Sequence, residues 1–143
     1  MGGNASREKG KRGERQTVHE LAEIFGEQVK RGLTQSRDGA ECPDVELPAG
    51  VPLWCEVKAH ARVNVRAALT QAQEAVDKTN PPFASAPWPV AVCRDTGKPV
   101  VAAMYWDHFR ALLLRWWSLE QQAAHLAAAL DEVTRQAEKD GAR

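Results

Sequence analysis

The spacing of apolar residues along the chain predicts an alternation of helices and short strands. Val18, Leu21, Ala22 and Phe25 recur at helical intervals, with Arg15, His19 and Glu23 largely off that face, and predict a helix over residues 10–25. The chain then leads into a strand at 32–36 and a turn at Arg37-Asp38-Gly39-Ala40. Two short apolar stretches, 43–47 and 53–58, flank a turn built on Pro48, Gly50 and Pro52, which completes a three-stranded meander. Asn64 is placed to cap a second helix over 65–78, with Val65, Leu69, Ala72 and Val76 as its packing stripe. Asn80-Pro81-Pro82 ends it, and the Pro-rich loop runs on to Pro89. Strands at 90–93 and 100–105 follow, joined by a turn at 95–98. The predicted order, α-β-β-β-α-β-β and a last helix, belongs to a mixed α/β fold.

The last third has a different period. Asp107 is an N-cap candidate, and no Gly or Pro interrupts the chain before Gly141. Leu112, Trp116, Leu119, Ala123, Leu126, Leu130, Val133 and Ala137 alternate intervals of four and three, an unbroken heptad seam. A helix over 108–139 would be about 48 Å long, more than a core of this size can cover. The chain therefore divides into a polar, flexible arm at 1–9, a core at 10–106 and a heptad-patterned helix at 107–140. The flanks of the seam are mostly uncharged (Gln122, Ala127, Ala129, Gln136), so they do not specify a parallel zipper. Self-association through the seam is the expected use, with folding back onto the core as the alternative.

Composition narrows the classes. The chain is 43% hydrophobic and 27% charged with zero formal net charge, ordinary for a globular domain and no global argument for nucleic acid. Charge is uneven, however: Arg7, Lys9, Lys11, Arg12 and Arg15 cluster near the start against Glu8 and Glu14, the local footprint of phosphate contact. Three cysteines (Cys42, Cys55, Cys93) without C-x-x-C spacing suggest neither a disulfide framework nor zinc, and favour a reducing compartment. The four histidines show no ligand spacing. No apolar run has membrane-spanning length, and a cytoplasmic protein is expected.

The chemistry is concentrated at residues 43–58. Glu56 and Lys58 share one face of their strand, and Cys55 and Val57 the other. Two carboxylates, Asp44 and Glu56, beside an ammonium interrupt an apolar run, which is costly unless a cation compensates them. A Glu-x-Lys triplet alone arises by chance in roughly half of chains this long. Its weight comes from Asp44 following Pro43 on the strand before, and from Glu14 on the inward face of the upstream helix.

Pro43-Asp44, eleven residues, then Glu56-Val57-Lys58 resembles the PD-(D/E)XK nuclease superfamily, whose restriction-endonuclease-like αβββαβ core matches the predicted order. Gly13-Glu14-Arg15, Gln35-Ser36-Arg37-Asp38-Gly39 and Gln71-Ala72 are similar to Holliday-junction resolvase-like members of phage and archaeal type. The resemblance spans about residues 10–107; the long last helix lies outside it. It implies that Asp44, Glu56, the Val57 carbonyl and Glu14 hold Mg²⁺, with Mn²⁺ able to substitute. It also implies that Lys58 stabilises the scissile phosphate, and that Ser36 and Gln71 assist. Lys11, Arg12, Arg15, Arg37 and Arg62 are then candidates for phosphate contacts that position DNA without reading sequence. The implied activity is endonucleolytic cleavage of branched DNA by a homodimer. Cleavage of flaps, single strands or ends is the alternative within the class, and a non-catalytic DNA-binding or assembly module the alternative outside it.

Overall fold

The computed structural model describes residues 3–32, 41–79, 81 and 85–141. It is a mixed α/β fold: five strands in one sheet and three helices, the last of them long. The chain forms two compact units, Met1–Tyr105 and Trp106–Arg143.

The first unit opens with helix α1 (Gly3–Phe25). It begins seven residues ahead of the predicted start, so the expected flexible arm is helical from Gly3. The reason is local: Asn4 to Lys9 include good helix formers, and Lys11 pairs with Glu8 one turn away at 3.6 Å. Apolar periodicity cannot register such a polar opening. A short 3-10 turn (Gly26–Gln28) leads to strand β1 (Lys30–Arg31), ahead of the predicted 32–36; residues 33–40, including the predicted turn, lie outside the described residues. Strand β2 (Val45–Glu46) and strand β3 (Leu53–His60) complete the antiparallel meander.

Helix α2 (Val65–Lys78) has the predicted bounds, and the Asn64 side chain accepts a hydrogen bond from the Ala67 N–H at 3.1 Å. It crosses over to strand β4 (Trp88–Asp95), which lies parallel to β3 with Glu56 opposite Ala91 and Lys58 opposite Cys93. Strand β4 is longer than the predicted 90–93 and contains Pro89. Trp88 donates its N–H to the β3 side, at Pro52 O, so Pro89 turns its missing donor to the other edge. There strand β5 (Val101–Ala103) covers only 91–93, and no ladder bond is lost.

Helices cover both faces of the sheet. Val18, Leu21, Ala22 and Phe25 of α1 pack on Val45, Cys55, Val57 and Val92. Residues of opposite parity face α2: Ala91 and Cys93 meet Ala68 and Leu69, and Trp54 meets Ala75 and Val76. Gly13 sets the closeness of α1, since a Cβ there would lie 2.8 Å from the Ala59 side chain. Beside it Thr17 donates to Gly13 O, and the buried Arg94 is held by Thr17 and Glu20.

The second unit is one helix, α3 (Trp106–Gly141), 36 residues and about 54 Å long. Asp107 falls inside its first turn and is not the N-cap; its carboxylate instead faces the positive end of the helix dipole. No residue of α3 is buried. Among the described residues no helix is long and apolar enough to cross a membrane.

Candidate active site

Asp44 is held by backbone constraints. Strand β1 ends at Gly32, whose N–H donates to Asp44 O at 2.9 Å. A Cβ on Gly32 would fall 1.8 Å from Pro43 O, so only glycine lets β1 approach the segment that presents Asp44. Asp44 itself sits just ahead of β2, its N–H donating to Cys55 O at 3.0 Å. Its Oδ2 accepts the Val57 N–H at 2.8 Å. In an extended strand the N–H and C=O of one residue point to the same side. The Val57 carbonyl therefore faces the edge that Asp44 occupies, beyond the two-residue β2.

Glu56 and Lys58 lie on the α2 face, as the strand period predicts. Glu56 is only 7% exposed. Its Oε1 accepts from Trp54 Nε1 at 3.1 Å, and its Oε2 lies 4.0 Å from Lys58 Nζ. Burial, then the charge of Asp44, push the Glu56 carboxyl up to about 7, against the Trp54 hydrogen bond and Lys58. Asp44 and Glu56 line one cavity, close enough for the charge of one to act on the other. At 4.0 Å the Lys58 ammonium does not neutralise this pair, so plain ion pairing of Glu56 with Lys58 does not account for the cluster. Burial of the Cys55 thiol, on the opposite face, lifts it to about 12, which leaves it a packing residue. None of the three cysteines forms a disulfide.

A cavity of about 380 Å³ opens over this face, lined by Cys42, Asp44, Glu56, Lys58 and Gln71 together with Glu41, Glu74, Ala75 and Lys78. Four carboxylates against two ammonium groups make its lining acidic, which favours a cation. Among the described residues no group of three His, Cys, Asp or Glu side chains is placed to hold a metal ion. The side chains supply two carboxylates, and the Val57 carbonyl is a third oxygen. Two neighbouring carboxylates, one of them buried with its proton affinity raised by burial and by the other, together with a backbone carbonyl suit a hard cation that retains several waters.

Glu14 arrives from the other side. It lies mid-helix on α1, away from the helix N-terminus and its dipole. Arg31 Nε pairs with its Oε2 at 2.7 Å. Burial and the nearby Asp44 raise its proton affinity, against Arg31 and Arg15. Glu14 does not line the cavity; the fold brings it to Asp44, the common neighbour of both other acids, and not to Glu56. Lys11, Arg12 and Arg15 are exposed on α1, and Arg62 is exposed ahead of α2. Ser36 and Arg37 lie outside the described residues.

Sequence reasoning missed Trp54, Arg31, Glu41, Glu74 and Lys78. Trp54 was within reach of it, since it shares the face of Glu56 two residues on. The cavity wall of Glu74 and Lys78 depends on where α2 crosses β3, which no local pattern states. No protein-family model, curated protein or solved structure matches this chain, so the nuclease resemblance rests on these residues alone.

Proposed function

We propose that the protein is a divalent-metal-dependent endonuclease of the PD-(D/E)XK kind, cleaving phosphodiester bonds in branched DNA, with the four-way junction as its first substrate. One observation carries the reading: Asp44 and Glu56, from separate strand segments, meet at one cavity with Lys58 4.0 Å from Glu56. Asp44, Glu56 and the Val57 carbonyl would hold Mg²⁺ or Mn²⁺. When bound, the ion supplies Lewis-acid charge neutralisation at the scissile phosphate and makes a neighbouring water more acidic.

The chain's own residues supply the rest. Lys58 holds a positive charge on the face where negative charge develops on the phosphate. Trp54, by donating to Glu56, leaves the second carboxylate oxygen turned toward Lys58. Glu14, paired with Arg31, adds negative charge near Asp44 from the α1 side and tunes the metal site. Gln71, at the cavity wall, orients water or backbone. Lys11, Arg12, Arg15 and Arg62 hold phosphates away from the cut, and Ser36 and Arg37 belong to the same proposed surface. Paired cuts in a near-symmetric junction require two sites, hence two copies of the chain. Action in a cytoplasm, where cysteines that form no disulfide stay reduced, is part of the same proposal.

The test is cleavage of labelled four-way junction, flap, single-stranded and duplex DNA with Mg²⁺, Mn²⁺ or EDTA. Metal-dependent cutting that prefers the junction is the expected result. Cutting that survives EDTA sinks the metal mechanism, and equal cutting of duplex and junction removes the branched substrate while leaving the nuclease. Binding without cleavage under every metal condition assigns the chain to a non-catalytic module.

A further inference from the structure

Helix α3 places large apolar side chains in water along its whole length: Leu126 is 72% exposed, and Leu130 and Val133 66% each. A contiguous apolar stripe of this kind marks an interaction surface, and a helix draws most of its stability from packing such a stripe. We propose that the stripe is covered by the same helix of a second copy, running antiparallel and in full register. The proposal goes beyond the catalytic reading and stands or falls without it.

The order of large and small residues decides the direction. Reversing the seam about a point between Ala124 and His125 sets Leu112 against Ala137, Trp116 against Val133, Leu119 against Leu130 and Ala123 against Leu126. Every alanine then meets a leucine, and the only tryptophan meets the smaller Val133. Two-fold symmetry repeats the four pairs as eight layers of similar volume, as close packing requires. That point lies within one residue of the centre of α3, which spans Trp106–Gly141, so the two helices overlap over nearly their full length. An isologous contact of this kind closes on itself at two copies.

The parallel alternative packs each residue against itself. Trp116 would meet Trp116, while Ala123 and Ala137 would each face another alanine, giving one overfilled layer and two hollow ones. It gains one favourable flank, Arg115 with Glu120, but an exposed ion pair contributes little. In the antiparallel arrangement the facing flank positions bring no like charges together (Arg115 with Gln136, Gln122 with Ala129, Glu120 with Ala127). Packing volume therefore outweighs the single charge pair, and the mostly uncharged flanks find their reason: they fix neither partner nor direction, which the layers do.

Two measurements on the full chain test this. Light scattering at about 10 μM should give twice the 15.8 kDa chain mass, and Leu126→Asp, which buries a charge in two layers, should reduce the mass by half. Arg110→Cys, placed in a Cys42→Ser background and nitroxide-labelled, reports direction by pulsed dipolar spectroscopy. Antiparallel copies set the two labelled positions about 43 Å apart at about 1.5 Å per residue; parallel copies bring them side by side, within about one helix diameter of contact, or roughly 20 Å. A label distance near 43 Å supports the proposal. A mass of one copy, a mass of four copies that would draw in Leu114 and Trp117 off the seam, or a label distance near 20 Å overturns it.

Discussion

The two units misplace opposite things. The first buries charge: Glu56 is buried beside Asp44, in a sheet whose neighbouring positions are apolar, with Glu14 half-buried on the other side of Asp44. The second exposes hydrocarbon: α3 carries Leu, Val and Trp side chains along 36 residues and buries none. Each misplacement is costly in the isolated chain, and each names by its chemistry what would relieve it. Close carboxylates want a cation, and a self-complementary apolar seam wants its own copy. On the proposed readings the contrast also separates the roles: chemistry belongs to the sheet, assembly to the helix.

The comparison is broken first at the acids. Asp44→Asn and Lys58→Ala should each lower cleavage more than 100-fold while leaving far-ultraviolet circular dichroism unchanged. Retained activity in both would detach the buried charge from any catalytic role. Leu126→Asp should abolish the dimer at micromolar concentration and leave the thermal transition of residues 3–105 near its wild-type temperature; a large fall in that temperature would show that the units are not independent in stability.

Gly32→Ala sharpens the first unit. With Pro43 O in the way, β1 or the Asp44 segment must move, at about 1–3 kcal/mol, the usual scale for overpacking. Metal binding, followed by calorimetry, should weaken along with it. Smaller is the pH effect. The native state binds the Glu56 proton more tightly than the unfolded chain, whose carboxyl stays near 4.5. Protonation therefore favours folding, and stability in EDTA should fall as pH rises from about 4.5 to about 7, then level off. Glu56→Gln should flatten that slope, and a slope unchanged in the variant would assign it elsewhere. Mg²⁺ binding should strengthen over the same interval, because the ion competes with this proton. Smallest is Asn64→Ala, about 1 kcal/mol from the lost cap of α2, visible in urea unfolding and without effect on dimer mass.

Much of this architecture was legible beforehand, where local rules decide. The bounds of α2 follow from Asn64 and one apolar stripe, and the period of two put Glu56 and Lys58 on one face. What stayed hidden was non-local. Pro89 reads as a breaker until the shortness of β5 leaves its edge free. Glu14 falls in the opening turns of the helix predicted over 10–25, whereas α1 begins at Gly3, which makes it a mid-helix group answered by Arg31. That Glu14 reaches Asp44 and not the cavity depends on a sheet standing between them, and no spacing in the chain encodes which side of a sheet a helix will take.

The contact of Gly32 with Pro43 O gives a handle on ancestry. A position where any side chain meets backbone at 1.8 Å admits no drift, however freely the residues between it and Pro43 vary in number or composition. Gly13, pressed on Ala59, is nearly as constrained. Distant kin of this chain should therefore betray themselves less by their acids, which recur in unrelated proteins, than by two glycines: one directly before the helical acid, the other closing the first strand ahead of a Pro-Asp pair.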